Sequence, residues 1–318
     1  MGTAVICGLL SAGCQSLGTP AVAVTPARPS QQLPSDIRVR IAGRVVSVAF
    51  EDYVAGTALS EVTPIGEAPS VIDRVYDVQT VVARTYALAH LGRLRAEGFD
   101  VCDSTHCQLY EPGRLATSRL AGDVRRATAR TARTVLVFDG KPIDALFHAD
   151  CGGHTASPEQ VWGTAPLPYL RSEPDVVSSP THRSWTLQLS REQVRQALHA
   201  DGRTEIGDKL TALTAGPADR SGRVTSIAVK GNRLLTMRAD EFRAAINRSL
   251  GPKAIQSTRF VIAPQGTGFL LTGTGFGHGV GLCQLGALAR ARTGLTATEV
   301  LSAYFPGAHL SSLSVRIP

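Results

Sequence analysis

Residues 272–287 read TGTGFGHGVGLCQLGA, placing Gly273, Gly275, Gly277, Gly279, Gly281 and Gly286 around one histidine, His278, with Cys283 and Gln284 following. Glycine weakens strand and helix interiors. A run this dense therefore marks backbone that needs positive φ, or that another segment or a ligand approaches closely. It is not a dinucleotide fingerprint, which needs G-x-G-x-x-G between a strand and a helix and an acidic residue about 20 positions on. Laid on a strand, these alternate glycines would bare one whole face. Taken alone, the segment is equally consistent with a glycine-rich turn holding an incidental histidine.

The rest of the chain mixes alternating and helical patterns. Residues 37–50, IRVRIAGRVVSVAF, alternate about Gly43 and predict a hairpin. Residues 53–61 predict a helix with Tyr53, Gly56, Thr57 and Ser60 on one side, broken by Pro64. The longest helical pattern covers residues 73–97, with Ser70 or Asp73 as cap and Gly98 as stop. Further hairpins are predicted about Gly140-Lys141 and Gly231-Asn232, and helices over 192–199 and 239–250. This mixed order argues for an α+β fold, with mixed, largely antiparallel sheets and several helices around a substrate cleft, rather than a doubly wound parallel sheet. No internal repeat is visible.

Four more segments are distinctive: YVAGTALSEVTP at 53–64, VVARTYALA at 81–89, CDSTHCQLY at 102–110 and FHADCGGHTASPEQVW at 147–162. In this order, with the late GHGVGLCQ segment and AYFPGAHL at 303–310, they closely resemble the SpoIID/LytB family. The resemblance covers residues 37–318, taken as one domain after a 1–36 signal/lipoprotein segment and linker. It implies either a lytic transglycosylase that cuts peptidoglycan glycan strands or a noncatalytic wall-binding module that stimulates a cell-wall amidase.

The resemblance makes Glu61 the catalytic residue. Glycosidic cleavage needs protonation of the leaving oxygen and then deprotonation of the attacking group. A hydrolase divides this between two carboxylates. A lytic transglycosylase manages with one, because the muramic acid C6 hydroxyl attacks and closes a 1,6-anhydro ring. Such an acid works best with a raised pKa, obtained by burial beside apolar groups such as Leu59 or Val62. The bland alternative is a solvated glutamate at a helix end.

Four residues are candidates for substrate binding: Arg84, Tyr110, His278 and Gln284. Arg84 lies mid-helix on an apolar segment, where an unpaired charge is costly. It either pairs internally, with Glu61 or Asp77, or takes a glycan carboxylate. Tyr110 offers a ring and hydroxyl to a sugar, and Gln284 an amide for hydroxyl or N-acetyl groups. His278 either reaches substrate or is satisfied by backbone. Glu61, His278 and Gln284 are expected to line one groove.

Of six cysteines, Cys7 and Cys14 fall in the N-terminal segment. Cys102, Cys107, Cys151 and Cys283 remain, enough for two disulfides in three pairings. Cys102, His106 and Cys107 also suit tetrahedral zinc, and the resemblance associates that motif with zinc in some members. Glu97 stands upstream where no histidine is found. Three readings stay open: a disulfide, with Cys151 expected beside Cys102 and Cys107, a structural zinc, or buried thiols. No cofactor is required for the chemistry. A Cys-His protease lacks a protease-type context.

Lys and Arg outnumber Asp and Glu by 33 to 26, for a formal charge of +7, which favours anionic partners. Nucleic acid is disfavoured, since the arginines are scattered, aromatics are sparse and no zinc-finger spacing occurs. Peptidoglycan carboxylates fit equally well. The N-terminus, with LLSAGC ending at Cys14, resembles a lipoprotein signal, so the expectation is an exported, lipid-anchored protein of the cell envelope. Ser11 and the missing basic n-region depart from that pattern, leaving an ordinary cleaved signal or a buried helix as alternatives. No other run reaches the roughly 18 apolar residues of a membrane span.

Overall fold

The computed structural model describes residues 32–175 and 182–315. Cys14 and the proposed signal lie outside these residues. The chain begins with β1 (Gln32–Leu33), β2 (Asp36–Ile41), β3 (Arg44–Ala49), α1 (Phe50–Glu61), α2 (Pro69–Ala89), β4 (Val101–Cys102), α3 (Arg114–Thr117), α4 (Ala121–Arg130), β5 (Thr134–Phe138), β6 (Lys141–Pro142), β7 (Phe147–His148) and α5 (Pro158–Trp162). It continues with β8 (Ser184–Ser190), α6 (Arg191–Ala200), β9 (Ala212–Ala215), β10 (Ser226–Lys230), β11 (Leu234–Arg238), α7 (Ala239–Leu250), β12 (Phe260–Gln265) and β13 (Gly268–Thr274). Last come β14 (Leu282–Cys283), α8 (Gln284–Arg292), α9 (Ala297–Tyr304), β15 (His309–Ser312) and β16 (Ser314–Val315). The fold is α+β with small, mostly antiparallel sheets.

Local chemistry explains the hairpins. β2 and β3 pair outward from Ile41 and Arg44, and the two residues between, Ala42 and Gly43, take φ of 46° and 83°. Two positive φ values give the turn whose twist matches a tight hairpin. Asp139 and Gly140 repeat the device between β5 and β6. β4 joins β2 in parallel, bringing Cys102 against this first sheet.

α1 is buried from Tyr53 through Ser60, which makes it a central helix rather than a surface one. It stops at Glu61 because Val62 is extended and Pro64 disfavours helix at the residue before it. α2 departs from expectation at both ends. It starts at Pro69, whose fixed φ suits the first helical position, and neither Ser70 nor Asp73 caps it. It ends at Ala89, and Gly92, with φ of 80°, turns the chain out. Arg95–Glu97 forms a separate turn of 3₁₀ helix.

Arg84 corrects one site assignment. Its side chain is fully buried, and it makes a bidentate pair with Glu51, Nε to Oε1 at 2.9 Å and Nη2 to Oε2 at 2.6 Å. Nη1 donates to the Thr134 carbonyl at 3.2 Å and Nη2 to that of Thr128 at 3.4 Å. No donor faces a groove. Arg84 is therefore an internal ion pair, with Glu51 rather than Glu61 or Asp77, that joins α2 to the first turn of α1, the end of α4 and the start of β5.

Residues of β8–β13, α6 and α7 share a core of their own, built on Trp185, Leu198, Ile227, Phe242 and Phe269. Their two sheets, β12-β13-β8 and β11-β10-β9, are antiparallel throughout. The remaining apolar residues cluster around α1, α2, β5, β14 and α9.

The glycine-rich segment is not a strand with a bare face. After β13 ends at Thr274, Gly275, Gly277, Gly279 and Gly281 all take positive φ. A Cβ at Gly281 would lie 2.1 Å from the Leu146 carbonyl oxygen, and one at Gly279 would lie 2.4 Å from the Arg223 guanidinium. The run is thus compressed against residues 146–152, and β14 pairs in parallel with β7.

Glu51→Ala, which leaves the fully buried Arg84 guanidinium without its counter-charge, is expected to lower the unfolding free energy by about 3 kcal/mol when measured by urea titration. A loss below about 0.5 kcal/mol would place the pair outside the framework.

Candidate active site

Glu61 ends α1 with its carboxyl largely surrounded by protein and a part of its surface open. Oε1 accepts the Leu109 N–H at 2.6 Å. Burial pushes its pKa up to about 7, against the pull of the Leu109 amide. Near neutral pH such a group can both give and take a proton. Thr57 and Tyr53, one and two turns earlier on the same face, are fully buried.

The loop after Cys107 is laced to α1 at three points. Tyr53 Oη donates to Gln108 Oε1 at 3.1 Å, Leu109 N–H meets Glu61, and Glu111 N–H donates to Ser60 Oγ at 3.1 Å. Tyr110 sits in the middle of this strap and is 6% exposed. Its ring packs 5.1 Å from that of Tyr53, over Gly56, where a Cβ would lie 2.6 Å from the ring. The expected sugar platform is therefore a core side chain.

Gln284, the first residue of α8, does reach Glu61. Its Nε2 donates to the Glu61 carbonyl and to Gln79 Oε1, both at 3.4 Å. Gln79 is 2% exposed on α2, and its Nε2 has no partner among the described residues. The sequence reading missed Gln79, although a glutamine within the apolar Val78–Val82 stretch was a usable signal. It missed Leu109 too, since a backbone donor leaves no trace in residue type.

His278 does not join them. Its Nδ1 accepts the Val280 N–H at 3.0 Å, and its ring packs 5.3 Å from Trp162 and 5.5 Å from His148. Burial, with Arg243 and Arg223 nearby, holds its pKa down to about 3, so the imidazole is neutral. The backbone-satisfied reading of His278 is the one the geometry supports, and its expected place beside Glu61 has no contact behind it.

Cys102, His106 and Cys107 form a tight group. The two Sγ atoms lie 2.7 Å apart, and His106 Nδ1 is 3.5 and 3.6 Å from them. Burial raises the Cys102 thiol, but bonds from Cys107, Ser104 and His106 bring it down to about 7. Glu97 is engaged with Arg40 instead. Cys151 is not here. It packs with Cys283 and His148 in another core cluster, so the expected link to Cys102 or Cys107 is corrected. β4 carries Cys102 to the first sheet, whereas residues 147–151 lie against the glycine-rich segment.

The other carboxylates are committed elsewhere. Asp150 accepts from His182, Arg183 N–H and Gly152 N–H. Asp175 holds Arg290 and Tyr304, and Asp103 accepts Ala42 N–H. None shares a hydrogen bond with Glu61 among the described residues.

Comparison with known proteins gives this arrangement relatives. The family described as Stage II sporulation protein matches residues 41–138, and a domain of unknown function (DUF8618) matches 177–281. An uncharacterized protein of Brachyspira hyodysenteriae is 32% identical over 81% of this chain, which spans 65% of that protein's length. Stage II sporulation protein D of Bacillus amyloliquefaciens is 27% identical over 84% of this chain and 75% of its own. The amidase enhancer of Bacillus subtilis is 24% identical over 74% of this chain and 37% of its own. The Glu61 helix lies inside the segment that matches the Stage II sporulation protein family, and with relatives spanning both halves of the site the chain is similar to SpoIID/LytB proteins over most of its length.

Proposed function

We propose that this protein is a peptidoglycan lytic transglycosylase of the cell envelope with Glu61 as its one acid and base. The observation that carries the reading is a lone carboxyl, lifted to about 7 by burial and aimed by the Leu109 amide. Protonated Glu61 gives its proton to the glycosidic oxygen as the C1–O bond breaks. The carboxylate then takes the proton of the muramic acid C6 hydroxyl as O6 closes on C1. Glu61 ends protonated, and no water is consumed. Gln284, half-buried beside it and steadied by Gln79, offers an amide for hydroxyl or N-acetyl groups of the glycan.

The similarity to an amidase enhancer supports a second reading, a wall-binding module that keeps Glu61 in its groove and acts by stimulating an amidase. Mass spectrometry of digested glycan separates the two, since only the first yields anhydro ends. The net charge of +7 suits an anionic wall polymer under either reading. No helix among the described residues is long and apolar enough to cross a membrane. Attachment would rest on the N-terminal segment and Cys14.

The Cys102, His106 and Cys107 donors suit zinc by type, and His106 Nδ1 lies 3.5 and 3.6 Å from the two sulfurs, near a tetrahedral ligand edge of about 3.5 Å; the sulfurs, 2.7 Å apart, would have to part by about 1 Å to take the ion. Bound there, zinc would neutralise two thiolates and stiffen the loop that carries Leu109. Cys102→Ser/Cys107→Ser is expected to lose one equivalent of zinc by elemental analysis and to turn over several-fold more slowly. Unchanged zinc content would discard this ligand set.

Glu61→Gln is expected to lower turnover by a factor of roughly 100 or more while glycan binding persists. Asp103→Asn, Asp150→Asn and Asp175→Asn, where folded, should not match it. Reducing-end hydrolysis products from wild type, or full activity in Glu61→Gln, would refute the mechanism.

The raised pKa also makes a stability statement. Folding favours the protonated carboxyl, so its contribution is complete below about pH 4.5 and is lost as pH rises through about 7. Glu61→Gln should therefore exceed wild type in stability by about 1–2 kcal/mol at pH 8, discounted for partial exposure, and match it at pH 4. Wild-type turnover should fall about tenfold per pH unit above pH 7. Identical pH–stability curves for the two proteins would show that Glu61 titrates normally.

A further inference from the structure

A second group of metal-binding side chains lies where the glycine-rich segment closes on residues 147–153. β7 and β14 set His148 opposite Cys283, with Cys151 just beyond. Ligand atoms of these three residues lie within 4.8 Å of one another. Their exposures are 4%, 0% and 0%, so whatever occupies the cluster is sealed from solvent.

His148 indicates what the cluster takes. Its Nδ1 donates to the Val280 carbonyl at 3.2 Å, which leaves the lone pair of a neutral ring on Nε2. That Nε2 is buried and without a hydrogen-bond partner among the described residues. A buried orphan of this kind calls for an ion, a ligand or a water. Tying Nδ1–H to a carbonyl is also how proteins orient a metal-ligating histidine.

Backbone amides point at both sulfurs. Cys283 Sγ accepts the Cys151 and Gly286 N–H groups at 3.2 and 3.3 Å, and Cys151 Sγ accepts that of Gly153 at 3.3 Å. Amides aimed at sulfur stabilise thiolates. Arg223, 1% exposed, stands behind them and donates to the Cys151 carbonyl at 3.1 Å. These features favour thiolate ligands over a disulfide, whose sulfurs are weak acceptors.

We propose that His148, Cys151 and Cys283 form a structural site for one zinc ion, separate from the group at Cys102 and independent of the reaction assigned to Glu61. With donors within 4.8 Å of one another, ligand edges of about 3.5 Å require them to draw together by about 1.3 Å at most. Both thiols release their protons on binding, and the ion enters as the chain folds. Asp175 Oδ2, 3.4 Å from Cys151 Sγ, is held by the Tyr304 hydroxyl, so the described residues supply three of the four ligands. The ion would staple the turn that precedes α8 to the strand end at His148.

Elemental analysis of the purified full-length chain tests this with zinc itself. The Cys102→Ser/Cys107→Ser protein lacks the other thiol pair, so one equivalent of zinc is expected to remain, bound here. Adding Cys283→Ser should remove it, and adding His148→Ala should weaken zinc affinity by at least about tenfold. If those variants do not fold, the zinc count of the Cys102→Ser/Cys107→Ser protein decides alone. Near-zero zinc in that protein overturns the site, as does a Cys151–Cys283 disulfide recovered as a linked peptide by non-reducing digestion. Because the starting variant already lacks the Cys102 group, failure there and failure here are read separately.

Discussion

A guanidinium removed from water sets the relation among the central elements. Arg84 is satisfied only when the first turn of α1 brings Glu51, the end of α4 brings the Thr128 carbonyl and the start of β5 brings that of Thr134. Leaving any of these out strands a buried charge, so the arrangement forms together or not at all. α1 leaves this anchor with Glu61 at its other end. Ten residues of helix, about 15 Å, separate the rigid joint from the acid.

At that far end the chemistry depends on burial rather than on charged neighbours. Glu61 is met by a backbone amide at Leu109 and has the side-chain amides of Gln79 and Gln284 close by. These groups are polar and uncharged, and burial leads the shift of its pKa. A shift of this origin is little affected by salt, unlike one produced by exposed ions. Glu61 should therefore keep its raised pKa across a wide range of ionic strength.

What could be read from the sequence was local. The hairpins at Gly43, Gly140 and Gly231 follow from alternation and turn residues, and the helix ending at Glu61 follows from an apolar run before Pro64. Arg84 could be suspected of pairing, but Glu51 looked like any acid at a helix start, and only the fold shows that it lies against the Arg84 guanidinium. The cysteine partners were hidden for a similar reason. Cys151 and Cys283 are 132 residues apart, and nothing in either motif distinguishes this pairing from one with Cys102. His278 stood out by its flanking glycines, but those glycines serve the contact with residues 146–152, and its Nδ1 is taken by the Val280 amide. The separate core of β8–β13 was not anticipated, because its strands and helices have the same patterns as the rest.

That separate core lies, in chain order, between the two halves of the motif pair at β7 and β14. His148 cannot meet Cys283, nor Gln284 meet Glu61, until β8 through β13 have been made and folded back. Loop-closure entropy makes such distant pairings the slow ones. If the inserted elements collapse first on their own core, they shorten the effective loop and bring β14 back to β7. The insertion would then act as a timer on the site, delaying its completion until nearly the whole chain has emerged.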